Sequence, residues 1–229
     1  MKKRTKIIIT ISPDIRNSIL KQMILSGADI VRLNLKYVSI REIEKIKRKL
    51  SKIKNVKLMI DIKDRKIINK ILKKDIDYVA VSFAESSKEI IKIKKQFPKK
   101  TKIISKIETK KGYDNVDKLI KISDGIMIAR GDLGKDISFE KIPIIQKIIT
   151  KKCNKERKMS ITATEMMPSM LKYIRPSRAE VTDVANAILE GSEALMLSEE
   201  TAIGKHPVLV VKTMLKIIKE TEKQIKTFK

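Results

Sequence analysis

Asp124-Gly125-Ile126-Met127-Ile128-Ala129-Arg130-Gly131-Asp132-Leu133-Gly134 reads as a buried strand that runs into a tight turn. Residues 124–130 are apolar between polar ends, the pattern of a parallel strand covered on both faces. Gly131, Asp132 and Gly134 then expose backbone N–H groups where a helix begins. The same unit recurs outward in both directions. Downstream lie Met159–Thr164 and Ala194–Ser198; upstream lie Thr101–Ile107, Asp77–Phe83, Val56–Ile62, Ala28–Asn34 and Lys6–Ile11. Lys-rich segments of helical period separate them: Asn17–Leu25, Ile40–Ile53, Ser87–Phe97, Lys111–Ile122, Phe139–Lys152 and Pro207–Ile225. Ile40, Ile43, Ile46, Leu50 and Ile53 share one helix face, and Ser86 and Ser87 with Glu89 mark a helix start. The shortest crossover is Lys63–Ile76. Eight strand–helix alternations predict an α/β fold closed as a (β/α)8 TIM barrel, not an open doubly wound sheet.

A chain of 229 residues suits one such barrel, which typically takes about 250. No linker, repeat or low-complexity block divides it, so residues 1–229 are read as a single domain. Aromatics are only 3%, so Ile, Leu, Val and Met must pack the core. The single cysteine, Cys153, excludes an internal disulfide and fits a reducing compartment. It is expected to be a buried or helix-surface thiol, although Lys152 and Lys155 could lower its pKa. The basic start Met1-Lys2-Lys3-Arg4 is followed by an apolar run, Ile7–Ile11, too short for a signal-peptide core. No stretch reaches membrane-spanning length. A cytoplasmic protein without a membrane partner is expected.

The formal net charge is +26, which raises nucleic acid as a partner. The positive charge is spread over nearly every helix, however, and comes from 43 Lys against 10 Arg. Bidentate readers of bases are usually Arg. With 41 Ile beside it, the composition looks like that of an AT-rich genome. Specific nucleic-acid binding is not expected; weak polyanion binding at low salt is.

Catalytic groups of TIM barrels gather at the C-terminal strand ends. Here those ends read Arg32-Leu33-Asn34, Asp61-Ile62-Lys63, Lys106-Ile107-Glu108, Ala129-Arg130-Gly131-Asp132, Thr162-Ala163-Thr164-Glu165 and Ser198-Glu199-Glu200-Thr201. Glu108 and Asp132 fall on adjacent strands at one rim. Two carboxylates with room for water and substrate oxygens are a usual way to hold Mg²⁺. Lys106 alternates with Ile107 and so faces the same side as Glu108. A cation beside a metal suits an anionic, phosphate-bearing substrate. From the residues alone, a structural Lys106–Glu108 ion pair and plain turn glycines remain equal alternatives.

The ordered set resembles the pyruvate kinase family along essentially the whole chain. Met127–Gly134 resembles its MVARGDLG segment, Ser105–Glu108 its AKIE segment and Ile161–Met166 its ITATQM run. Arg175–Ala187 resembles RPTRAEVSDVANA, Ala194–Ala202 resembles AIMLSGETA, and Gly204–Pro207 follows GKYP. The resemblance implies a Mg²⁺-dependent (or Mn²⁺-dependent) phosphotransferase of glycolysis that converts phosphoenolpyruvate and ADP to pyruvate and ATP. It implies Mg²⁺ at Glu108 and Asp132. Lys106 would neutralise the phosphoryl group and developing enolate, and Arg32 would contact the transferring phosphate. The Gly131 and Asp132 N–H groups with Thr164 would bind the substrate carboxylate. Thr164, Ser198 and Glu200 would lie near the proton path. A homo-oligomer is left open.

The departures are as informative. The family inserts a lid after strand three, behind a DTKGPEIR run; here Asp61–Ile68 has other residues at the positions of its Gly, Pro, Glu and Arg. Strand four follows a few residues on, so the lid is expected to be absent, as is the family's C-terminal domain. Of the family's potassium ligands Asn34 and Asp61 remain, while Lys36 replaces Ser and Ile62 replaces Thr. Lys66 replaces a nearby Glu, a change found in potassium-independent relatives. Lys36 and Lys66 are expected to supply charge in place of K⁺, so that K⁺ is not required. Tyr37, Glu85 and Glu199 replace a His, an Arg and a Gly near the site. Two further readings stand beside the kinase: a reduced barrel that decarboxylates or hydrolyses enolate-forming acids, and a non-catalytic subunit. As a rim charge in water, Lys106 is expected to matter for chemistry and little for stability.

Overall fold

The computed structural model describes residues 5–53, 55–72 and 74–225; the basic Met1–Arg4 start lies outside them. Eight parallel strands form a closed barrel in sequence order, β8 pairing back onto β1. They are β1 Lys6–Thr10, β2 Ile30–Asn34, β3 Lys57–Ile62, β4 Tyr78–Val81, β5 Lys102–Ile107, β6 Gly125–Ala129, β7 Met159–Ala163 and β8 Ala194–Leu197. All eight expected strands are present, each shortened by one to three residues at its ends. The helices are α1 Asn17–Leu25, α2 Ile40–Leu50, α3 Ile68–Ile71, α4 Ser87–Gln96, α5 Lys110–Asp114, α6 Val116–Ile122, α7 Arg130–Asp136, α8 Ile142–Lys155, α9 Arg178–Leu189, α10 Glu199–Ala202 and α11 Pro207–Gln224.

Two helical readings change. The segment read as one helix over Lys111–Ile122 is two, α5 and α6, broken at Asn115 (φ −100°, ψ 9°). The segment read as Phe139–Lys152 begins as a 3₁₀ turn over Phe139–Lys141, and Pro143 near the start of α8 tolerates the helical first turn because it needs no N–H there.

The core is double. Between strands and helices lies a shell of Ile, Leu, Val and Met. Inside the barrel a second cluster contains Ile8, Ile30, Met59, Ala80, Ile104, Met127, Ile161 and Met196, one from each strand. The inward positions alternate along every strand. One step up from this apolar layer they become Thr10, Arg32, Asp61, Ser82, Lys106, Ala129, Ala163 and Ser198. The floor of the site is thus hydrocarbon, and its charge is confined to β2–β5.

A repeated acid ties the opposite end. Asp29, Asp77 and Asp124 precede β2, β4 and β6 and accept N–H bonds from Ile7 (2.7 Å), Leu58 (2.9 Å) and Ile103 (2.8 Å) at the starts of β1, β3 and β5. Each carboxylate satisfies a strand-end donor that the ladder leaves open. At Gly125 an added Cβ would lie 2.7 Å from the Met159 carbonyl oxygen, so only glycine fits where β6 and β7 converge.

Helix α9 opens on a capping box: Ser177 Oγ accepts from the Glu180 N–H (3.2 Å), and the Glu180 carboxylate accepts from the Ser177 N–H (2.6 Å). Ser177→Ala is expected to cost about 1 kcal/mol and to lower the melting temperature by roughly 2–4 °C for a chain of this size. Calorimetry showing no change would assign the helix start to packing alone.

Candidate active site

Four charged side chains meet inside the C-terminal rim. Arg32 on β2, Asp61 on β3, Lys106 on β5 and Glu108 just beyond β5 are each 6% exposed or less. Parallel register sets Asn34 beside Asp61 and Lys106 beside Met127, and alternation turns the charged members inward. Arg32 donates to Asp61 Oδ2 through Nη2 (2.6 Å) and Nε (3.0 Å), and to Thr10 Oγ1 through Nη1 (2.8 Å). Lys106 Nζ lies 3.0 Å from Asp61 Oδ2 and 2.9 Å from Glu108 Oε1, and bonds Ser82 Oγ at 3.0 Å. Ser82 Oγ donates in turn to Asp61 Oδ1 (3.2 Å). Two cations and two carboxylates cancel, and every hydrogen bond is charge-assisted. Burial favours the neutral acid at Asp61, but Arg32 and Lys106 outweigh it and hold its carboxyl below the usual carboxylate range.

The expectation that Lys106 is a rim charge in water is therefore corrected. The TIM-barrel mouth around β2–β5 is narrow enough that neighbouring strands exclude solvent from its Nζ. The Lys106–Glu108 ion pair weighed from the sequence is present, as part of a larger array.

The second half of the rim is built on backbone. Thr164 (φ 70°) and Glu165 (φ 51°) are left-handed, a conformation that costs of order 1 kcal/mol or more for such residues. Arg130 holds it: Nη2 donates to the carbonyls of Thr164 (2.8 Å) and Glu165 (2.9 Å), while Nη1 pairs with Asp183 on α9 (2.7 Å). The turn brings Thr164 Oγ1 to the Gly131 N–H (2.8 Å) at the first turn of α7. Asp132, one residue on, is half-exposed and pairs with Lys135 (2.7 Å). That hydrogen bond, opposed by partial burial, leaves its carboxyl below the usual range, with Lys106 and Lys36 adding to the effect.

Just beyond β8, the Ser198 Oγ is buried and has no hydrogen-bond partner among the described residues. Its N–H donates to Glu200 Oε2 (2.7 Å), and Glu200, 2% exposed, also accepts from the Met167 N–H. In the structure Ser198 and Glu200 thus come together.

The potassium substitutes do not. Lys36 and Lys66 are exposed, and neither is a partner of Asp61. Lys36 Nζ sits 5.0 Å from the centre of the Tyr37 ring, and its pKa is raised chiefly by the Tyr37 hydroxyl. Lys66 occupies a 3₁₀ turn capped by Asp64, its N–H donating to Asp64 Oδ1 (2.9 Å). Asn34 Oδ1 is taken by the Lys36 N–H (3.1 Å). The charge at Asp61 comes from Arg32 and Lys106, because these are the cations on inward-facing strand positions. Glu85 turns away from the site to Thr109 and Lys111.

Ser82 and Thr10 were missed by sequence reasoning. Both were legible in the period-two pattern, as the inward positions one step above Ala80 and Ile8. The thiol of Cys153 is buried, and burial pushes its pKa up to about 12, so the flanking lysines do not activate it.

No group of three or more His, Cys, Asp or Glu side chains capable of holding a metal comes together among the described residues. Glu108 and Asp132 are hard oxygen donors at the same mouth. Glu108 has one oxygen on Lys106 and the other on the Phe83 N–H (2.6 Å), and each carboxylate oxygen can accept more than one partner. Two such carboxylates fit a divalent ion completed by water and substrate oxygens.

Fold and rim together define a (β/α)8 barrel whose C-terminal mouth carries a buried, charge-balanced array of two cations and two carboxylates. A family model described as "Pyruvate kinase, barrel domain" matches residues 47–211; the chain belongs to that family. It is 44% identical over 170 residues to a protein named pyruvate kinase from Thermotoga maritima, covering 73% of this chain and 36% of that one. Pyruvate kinases from Clostridium acetobutylicum (46% over 157 residues; 67% and 33%) and Thermococcus litoralis (48% over 163 residues; 70% and 34%) are similarly close. The chain spans about a third of the length of these curated relatives.

Proposed function

We propose that this barrel transfers the phosphoryl group of phosphoenolpyruvate to ADP, giving pyruvate and ATP. The buried Arg32–Asp61–Lys106–Glu108 array, in a chain of this family, carries the reading. Arg32 and Lys106 are fixed cations aimed into the mouth, where they meet the phosphoryl charge and the negative charge that develops on the enolate oxygen without reorganising. Gly131, Asp132 and Thr164 orient the substrate carboxylate. Glu108 and Asp132 would hold Mg²⁺ or Mn²⁺, which would supply positive charge toward the phosphate. Ser198, with a buried hydroxyl and no hydrogen-bond partner among the described residues, together with Thr164 and Glu200, borders the path by which a proton reaches the enolate carbon. The setting is glycolytic and cytoplasmic, in keeping with the absence among the described residues of any helix long and apolar enough to cross a membrane; specific nucleic-acid binding forms no part of it.

Only residues 63–77 join β3 to β4, with one 3₁₀ turn and the four-residue α3, so we read the barrel as one domain without a lid at that point. That observation also favours a second reading. Lid closure normally excludes water and completes a site, whereas enolate stabilisation needs only the rim. The second reading is a barrel that decarboxylates or hydrolyses enolate-forming acids.

One assay separates them. Pyruvate release from phosphoenolpyruvate is followed with and without ADP, and from oxaloacetate, with Mg²⁺ in K⁺ or in tetramethylammonium. The kinase reading expects ADP-dependent ATP formation at similar rates in both salts, because Arg32 and Lys106 already meet Asp61. Large K⁺ stimulation sinks the potassium-independent part. Oxaloacetate turnover without ATP formation selects the second reading, and no turnover of any kind selects a non-catalytic subunit.

A further inference from the structure

We propose that Arg65 is a positioning residue for Glu108, acting through a single peptide group at the end of β4. Arg65 opens the 3₁₀ turn after β3, which Asp64 caps. Its guanidinium spans three elements: Nη1 donates to the Lys63 carbonyl (2.7 Å), Nε pairs with Glu89 on α4 (2.8 Å), and Nη2 donates to the Ser82 carbonyl (2.6 Å). The peptide whose oxygen Arg65 holds is the one whose N–H belongs to Phe83, and that N–H donates to Glu108 Oε2 at 2.6 Å. One amide therefore links guanidinium to carboxylate, each bond polarising the other.

The geometry needs this support. Phe83 is left-handed (φ 50°), a state that costs energy for a large side chain. Rotating the Ser82–Phe83 peptide would turn its carbonyl oxygen toward the Glu108 carboxylate, and the Arg65 bond opposes that rotation. The same residue, Ser82, carries the hydroxyl that bonds Lys106 and Asp61. Arg65 thus sets the orientation of Glu108 from outside the pocket. It does so from the β3–β4 connection, a segment that no longer has a lid to position.

The proposal rests on the reading of Glu108 as a ligand of the divalent ion, and its test keeps the two apart. The full chain is labelled with ¹⁵N-phenylalanine; its four Phe residues give a spectrum in which Phe83 is assigned by substitution and buried Phe97 reports folding. In the wild type the Phe83 amide proton is expected far downfield, as for an N–H on a carboxylate. In Arg65→Gln it moves upfield while Phe97 stays in place, and Arg65→Lys, which keeps the charge but not the fork, lies between. Calorimetry with Mn²⁺ alone is expected to show dissociation weakened about tenfold in Arg65→Gln, the scale of losing a group that orients a metal ligand. Wild-type Mn²⁺ affinity in Arg65→Gln, with Glu108→Ala strongly weakened, overturns the proposal and leaves the metal reading intact. Unchanged binding in Glu108→Ala overturns the metal reading instead. The positioning of Glu108 then rests on the Phe83 amide, and an unmoved resonance in Arg65→Gln overturns it.

Discussion

Lys106→Met is expected to lower turnover by roughly a thousandfold, the scale of removing one preorganised charge from a reacting centre, and to destabilise the barrel by about 3 kcal/mol. The second effect follows from the partners. Lys106 Nζ touches both buried carboxylates, Asp61 and Glu108, as well as Ser82. Without it, Asp61 keeps Arg32, but the Glu108 Oε1 loses its cation in a pocket where Glu108 is 3% exposed. Breaking a buried pair from one side leaves an uncompensated charge, which typically costs about 3–5 kcal/mol; the Phe83 N–H that still bonds Glu108 Oε2 places this site at the lower end. Urea unfolding and steady-state turnover, measured on one preparation, separate the two effects. Turnover within tenfold of wild type removes Lys106 from the mechanism. Unchanged stability with lost turnover shows that the array gives no net support to the fold.

Asp61→Asn is expected to cost at least as much stability, about 3–5 kcal/mol near neutral pH, because Asp61 is the hub. It bonds Arg32 twice and also meets Lys106 and Ser82. The amide keeps the shape but strands a buried guanidinium. The pH dependence identifies the cause. Arg32 and Lys106 overcome burial and depress the folded-state pKa of Asp61, so its stabilisation is fully present above the unfolded value of about 3.9. It is lost as pH falls through the lower folded value. The gap in unfolding free energy between wild type and Asp61→Asn is therefore expected to hold between about pH 5 and 8 and to narrow below about pH 4. A gap that stayed constant into acid would assign the loss to packing around the amide rather than to charge. Turnover should fall as well, since Arg32 and Lys106 both lose the carboxylate that orients them.

The strand pattern was legible because it is local. A parallel strand buried on both faces must be apolar throughout, and a helix lying on it must repeat every three to four residues; both periods can be read off a window of ten to fifteen residues. The same period placed Lys106 and Glu108 on one face, and chain direction placed them with Asp132 and Thr164 at the C-terminal end of the barrel. Helix breaks were less visible. Nothing in Lys111–Ile122 forbids one helix, and the division at Asn115 comes from packing α5 and α6 against different neighbours.

What only the tertiary structure decided is which charges share a carboxylate. Arg32, Asp61 and Lys106 are separated by 29 and 45 residues in sequence, and closing the barrel brings them to bonding distance. Lys36 and Lys66 stand much nearer to Asn34 and Asp61 along the chain. They face outward, because a residue beyond the strand end is free of the inward alternation and a lysine ammonium is best solvated in water. Sequence proximity therefore did not identify the cations that pair with Asp61. Composition hid Arg65: a guanidinium among 53 basic residues carries no local mark, and its role arises where its fork meets one carbonyl at the end of a neighbouring strand. Secondary structure and the facing of each residue follow from short-range sterics and burial; charge pairing depends on distances of a few ångströms, which chain closure alone fixes.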